Sequence, residues 1–167
     1  MRKEKQSGLT LIEMIVAIAI MAIFLGFVGL IISQSIKIYS KESSMVSLED
    51  QLRAVQDRMI RDIRPCIAAS AGSTATSSYL YFRPDTSMAI TDNYYEFVRS
   101  EKRLYRQLKN GTRDPIADNI EQANFTVTTP VTYTSTPITM RVEVELTASD
   151  RNATKTTSFY INLRSVK

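Results

Sequence analysis

The hydrophobic and polar positions fall into three regimes. From Met14 through Ile36 no side chain is charged, and Met14 to Ile32 is apolar apart from Gly26 and Gly29. At ~1.5 Å rise per residue such a helix crosses a hydrocarbon core of ~30 Å. Beyond Ile36 the helical signal changes character. Val46, Leu48, Leu52, Val55, Met59 and Ile63 recur at helical spacing and predict one apolar stripe. Glu49, Arg53, Asp57 and Arg61 follow in steps of four on the other face, with Arg58 and Asp62 as a further pair, the pattern of a solvated surface. No glycine or proline interrupts Ser33 to Arg64, and Pro65 disfavours helical geometry at Arg64. Span and stalk therefore read as one helix from Leu9 to Arg64, a rod of ~80 Å.

The third regime has period two. Ala68 to Ser78 is built from Ala, Ser, Thr and one Gly and reads as a loop. Strand-like runs follow at Tyr79 to Phe82, Tyr94 to Arg99 and Arg103 to Leu108, the last closed by Lys109-Asn110-Gly111. Asp114-Pro115 reads as a turn, and Ile116 to Gln122 as a short helix. Ala123, Phe125 and Val127 then alternate with polar residues until Thr129-Pro130. The clearest β signal comes last. Met140, Val142, Val144 and Leu146 alternate with polar partners, as do Phe159, Ile161 and Leu163 after a turn at Ser149 to Asn152. The expectation is an α+β protein: a long N-terminal α-helix, membrane span plus amphipathic stalk, whose stripe is covered by a mostly antiparallel β-sheet.

Composition narrows the function classes. The 167 residues leave room for about one core beside the helix. Formal charge is +4, of which Arg2, Lys3 and Lys5 against Glu4 supply half, so the remainder is too balanced to announce a nucleic-acid protein. Histidine is absent and Cys66 is the single cysteine, which excludes histidine-based catalysis and multi-cysteine zinc or disulfide frameworks. Cys66, directly after Pro65, reads as a small buried residue, with intermolecular pairing or modification as the alternative. Serines and threonines are plentiful without a nucleophile motif, so neither an enzyme nor a cofactor is expected.

The basic residues lie just before the span, which places Met1 in the cytoplasm and the C-terminal region outside. A secretory signal cut at its far end is the alternative. The run is long for that and no A-x-A site follows it. Glu13 is the informative residue, because a carboxylate at the head of an apolar helix needs a partner. Thr10-x-x-Glu13 is a capping-box pattern that supplies one locally.

The whole string Gly8-Leu9-Thr10-Leu11-Ile12-Glu13, entered from a basic leader and running into the span, resembles the class III signal of type IV pilins and pseudopilins. The resemblance implies cleavage after Gly8 by a membrane prepilin peptidase and methylation of Leu9 as the new N-terminus. It also implies that Glu13 is the counter-charge used when helices of neighbouring subunits pack. Pairing would offset the penalty for burying both the Leu9 ammonium and the Glu13 carboxylate. Leu9 stands where the family usually has Phe, and the helix-bending proline of many major pilins is missing. Any bend would fall at Gly26 or Gly29, which are also close-packing positions. On this plan residues 1–8 are leader, 9–36 the membrane and assembly half of the helix, 37–64 the stalk and 65–167 the globular domain. Asp62-Ile63-Arg64, Leu104-Tyr105-Arg106, the 116–120 segment, the Phe125 strand and the closing hairpin look most like J-type minor pseudopilins and W-type minor pilins.

The resemblance implies partners: other pilin subunits, the peptidase, and the membrane before assembly into a surface filament. A minor subunit at the filament tip is the leading expectation and the major subunit the second. A third is a DNA- or glycan-binding module, for which Tyr94, Tyr95, Arg99, Lys102, Arg103 and Arg106 form the possible ligand surface. Alternation along strands would split those side chains between two faces, which favours a solvated edge. A fourth, an unrelated single-pass protein with an outer enzyme domain, predicts that Gly8 is never cut. Asp114, Asp118 and Asn119 offer oxygen ligands without the spacing of a calcium loop, so no metal is expected.

Overall fold

The computed structural model describes residues 10–109, 111–128, 140–150 and 153–163. A single long helix, α1, runs from Leu11 to Ile63. The chain divides into two compact units, Met1–Lys41 and Glu42–Lys167.

In the first unit, α1 from Leu11 to Lys41 has no buried residue among those described, and its large apolar side chains, half-buried Val28 apart, are exposed on every side. A Cβ added at Gly26 or Gly29 would meet nothing.

In the second unit, Leu48, Leu52, Val55, Met59 and Ile63 turn inward at three- and four-residue steps. Val46 does not join them and is 60 % exposed. Two residues separate it from Leu48, about 200° round the helix, whereas Met45 lies on the stripe and packs on the core. The helix ends where Pro65 predicts. Arg64 N–H still reaches the Ile60 carbonyl at 3.0 Å, and Cys66 N–H closes a tighter turn on Ile63 at 3.0 Å.

The stripe packs against antiparallel strands, but in two sheets rather than one. The first has the order β1-β2-β3-β4-β5, with β1 Ala68–Ser73, β2 Ser77–Arg83, β3 Tyr94–Val98, β4 Arg103–Gln107 and β5 Asp114–Ala117. The second has the order β6-β7-β8, with β6 Ile120–Thr128, β7 Arg141–Asp150 and β8 Ala153–Asn162. The closing hairpin has the expected register, Val142 opposite Ile161 and Val144 opposite Phe159. The tip of its turn, residues 151–152, and the expected stop at Thr129-Pro130 lie outside the described residues. Backbone bonds tie the sheets together, from Ile120 N–H to the Lys102 carbonyl at 2.9 Å and from Ser149 N–H to the Asn119 carbonyl at 2.8 Å.

Three local expectations are corrected. The segment from Ala68, read as a loop, forms edge strand β1, paired with β2 from Ala68↔Arg83 to Ser73↔Ser78. Its weak intrinsic preference is overridden by that ladder, and only Thr74 to Thr76 remain as the turn, closed by Ser77 N–H on Thr74 Oγ1 at 3.0 Å. Asp114-Pro115 lies in strand β5 at a sheet edge, where proline's missing N–H is tolerated. The short helix read at Ile116 to Gln122 is replaced by β5, a bend and the start of β6. Asn119 takes φ 58°, a left-handed conformation that breaks a helix and turns the chain.

Candidate functional site

The N-terminal site begins at Thr10, since Gly8 and Leu9 lie outside the described residues. The capping box is formed. Thr10 N–H donates to Glu13 Oε2 at 2.9 Å, Thr10 Oγ1 donates to the same oxygen at 2.9 Å, and Glu13 N–H approaches Thr10 Oγ1 at 3.4 Å. Glu13 Oε1 accepts no hydrogen bond and Glu13 has no ion pair among the described residues. Around it Ile12, Val16, Ala17 and Ile20 form a shallow apolar surface. The site is thus one carboxylate, half used by its own helix end, at the head of a helix long and apolar enough to cross a membrane.

The chain carries a prokaryotic N-terminal methylation motif. The matching family model covers residues 3–29, which include Gly8, Leu9 and Glu13 and most of the uncharged run. This supports a pilin-like protein processed by prepilin peptidase, and leaves the type of subunit open. Comparison with curated proteins and with solved structures gives no match.

The second candidate region, the basic tyrosine-rich hairpin of β3 and β4, is not one surface. Tyr95 faces inward and is fully buried, and its hydroxyl donates to Asp62 Oδ2 at 2.5 Å. Arg106 lies on that same inner face, with Nε 2.6 Å from Asp62 Oδ2 and Nη2 3.0 Å from Oδ1. Burial, then the Asp62 carboxylate, pushes the Tyr95 hydroxyl well above its usual range, and the hydrogen bond to Asp62 raises Arg106 further. Tyr94 faces the opposite side and donates to Gln107 at 2.7 Å. Arg99 reaches the Ala75 carbonyl at 2.8 Å, Lys102 pairs with Glu121 at 2.6 Å and Arg103 with Asp118 at 2.6 Å, all exposed. The period-two alternation divides the six residues, and the positively charged ones already have protein partners.

Asp62 is the half-buried charge that the helix pattern concealed. Its i, i+4 spacing to Arg58 reads as a solvated pair, yet its side chain is only 17 % exposed and its partner is Arg106 on β4. Asp62 follows Met59 by three residues and precedes Ile63, so it sits at the margin of the buried stripe; that margin position was the available signal. Cys66 is buried as expected, with its thiol against the Asp62 carbonyl at 3.0 Å. Burial, then the Asp62 charge, pushes its pKa up to about 11. Asp114 and Asp118 have separate partners, Thr112 and Arg103, and among the described residues no group of three acidic, histidine or cysteine side chains clusters to hold a metal.

Proposed function

We propose that this chain is a minor pilin or pseudopilin. It is cut after Gly8, methylated at Leu9, held in the membrane by α1, and then built into a type IV filament near its tip. The observation that supports this most is the methylation motif running into a helix that has no buried residue among those described from Leu11 to Lys41. Such a surface needs lipid before assembly and neighbouring helices afterwards. Glu13 is the residue on which assembly turns, because one of its carboxylate oxygens is left over after capping. A neighbour's Leu9 ammonium is the counter-charge that fits it. The domain plan of leader 1–8, assembly segment 9–36, stalk 37–64 and globular part 65–167 belongs to the same reading.

Two measurements test it. Mass analysis of the mature N-terminus is expected to find methylated Leu9; a chain beginning at Met1 overturns the proposal. Glu13→Gln retains the capping geometry, since Gln serves at that position, but removes the charge. It is expected to insert and be cut normally yet be depleted from sheared filaments, as is Glu13→Ala. If Glu13→Gln assembles like wild type while Glu13→Ala does not, capping and not charge is the role of Glu13. Stain intensity in purified filaments separates a minor from a major subunit.

A further inference from the structure

On the first sheet, Leu80, Phe82, Tyr95, Phe97 and Leu104 face the core, and alternation turns their neighbours outward. One outward row crosses four strands: Ser70 opposite Tyr81, Tyr81 opposite Tyr94, and Tyr94 opposite Gln107. Tyr79, two residues before Tyr81, stacks on it with ring centroids 5.6 Å apart and planes 8° apart, and both rings lie within 6.0 Å of Tyr94. Three half-buried tyrosines thus hold one another in place and leave a contiguous aromatic face. Tyr79 and Tyr94 hydroxyls are used, on Glu96 and Gln107. Tyr81 donates to no protein group among the described residues.

The next outward position along β2 is Arg83. Its guanidinium has no ion pair or hydrogen bond among the described residues, and its Nε is shielded from solvent without an acceptor. Asp92, on the segment leading into β3, is already held by Lys109 at 3.2 Å and by Ala89 N–H at 3.1 Å. At the far end of the face Glu96 is matched by Arg113 at 2.8 Å, which leaves Arg83, among the described residues, as the unmatched charge beside the tyrosines.

We propose that this face binds a saccharide whose pyranose ring carries a carboxylate. Tyrosines join an apolar ring to a polar tip, which suits a sugar with C–H groups on one face and hydroxyls at its edge. Ser70, Tyr81 and the Gln107 amide supply edge partners, and the terminal nitrogens of Arg83 supply the charge that a carboxylate needs. A single-stranded nucleic acid would also stack on tyrosine, but it brings a phosphate with every base and binds through several cations. Here Arg103, Lys109 and Arg113 are each already paired with a carboxylate. One unmatched charge beside several hydroxyl-bonding groups fits an acidic sugar better than a polyanion. This inference stands apart from the filament reading, since neither Gly8 nor Glu13 enters it.

The test uses the full chain in detergent micelles, titrated with a hyaluronan oligosaccharide, with a chitooligosaccharide of equal length that lacks the carboxylates, and with oligothymidylate. Hyaluronan is expected to bind about tenfold tighter than the neutral oligosaccharide, the equivalent of one charge-assisted contact. Arg83→Gln should abolish that preference and Tyr81→Ala weaken both sugars, while Tyr81→Phe, which keeps the ring, controls for folding. Equal affinity for the two sugars, a preference unchanged by Arg83→Gln, tighter binding of oligothymidylate, or no binding of any probe overturns the proposal.

Discussion

Replacing Arg106 by Met tests whether the Asp62 tie holds α1 to β4. The pair is bidentate at 2.6 and 3.0 Å, each side chain is only 17 % exposed, and Tyr95 donates to the same carboxylate at 2.5 Å. Met keeps much of the aliphatic volume but leaves Asp62 with one neutral donor. Removing one partner of a fully buried pair costs ~3–5 kcal/mol; remaining solvent contact on both sides lowers the expectation to about 2–3 kcal/mol. Asp62→Asn should cost about 1–3 kcal/mol, because the Arg106 charge then loses its partner while Tyr95 keeps an acceptor. The double variant should cost less than the two singles added, with a coupling of about 1–3 kcal/mol. Urea unfolding of the full chain in micelles, followed by tyrosine fluorescence, reads the Glu42–Lys167 unit. A loss below about 0.5 kcal/mol for Arg106→Met, the ordinary size for a surface substitution, or strict additivity in the double variant, would refute the tie.

Cys66 yields a second expectation. Its thiol should resist alkylation at pH 8 in the folded protein and react at once in denaturant, because it is buried and its pKa is raised to about 11. The unfolded chain loses the thiol proton near pH 8.5 and the folded chain only near 11. Stability should therefore fall across that window in wild type relative to Cys66→Ala, by about 1–3 kcal/mol at its upper end, while below it the two profiles run parallel at a constant offset. A flat difference between the two profiles would contradict the assignment. At Asn119, φ 58° makes Gly a neutral or mildly stabilising replacement and Val a loss of about 1–2 kcal/mol. Equal melting temperatures for the two variants would count against the left-handed turn.

The elements with strong period were legible in the sequence, and those with weak local preference were not. Five of the six stripe residues, the end at Pro65 and the β7–β8 hairpin follow from spacing alone, because each buries one face along its length. The strand β1 was hidden because Ala, Ser and Gly carry little signal until β2 pairs with them. Residues 116–122 misled because Ile116 and Ile120 are four apart, which suits a helix, while the left-handed Asn119 between them decides otherwise. The division of the tyrosine-rich hairpin followed from alternation. Which tyrosines meet across strands did not, since Ser70, Tyr81, Tyr94 and Gln107 come together only through the register of four strands.

One helix obeys two different rules, and the difference bears on what any stability measurement means. Between Met45 and Ile63 the apolar positions form a stripe, and the chain supplies its own cover. Between Leu11 and Ile38 the large apolar side chains point in all directions and, half-buried Val28 apart, are more than half exposed, from Leu11 at 79 % to Val16 at 52 %. An all-round apolar helix is stable only when something else surrounds it. No substitution there should register in unfolding of the Glu42–Lys167 unit, however strongly it affects assembly. The capping box sharpens the point, because its bonds are made within one chain and say nothing of the carboxylate's remaining charge. A Glu13→Gln protein that melts like wild type and is cut like wild type, but is missing from filaments, would place the role of Glu13 in contacts between chains.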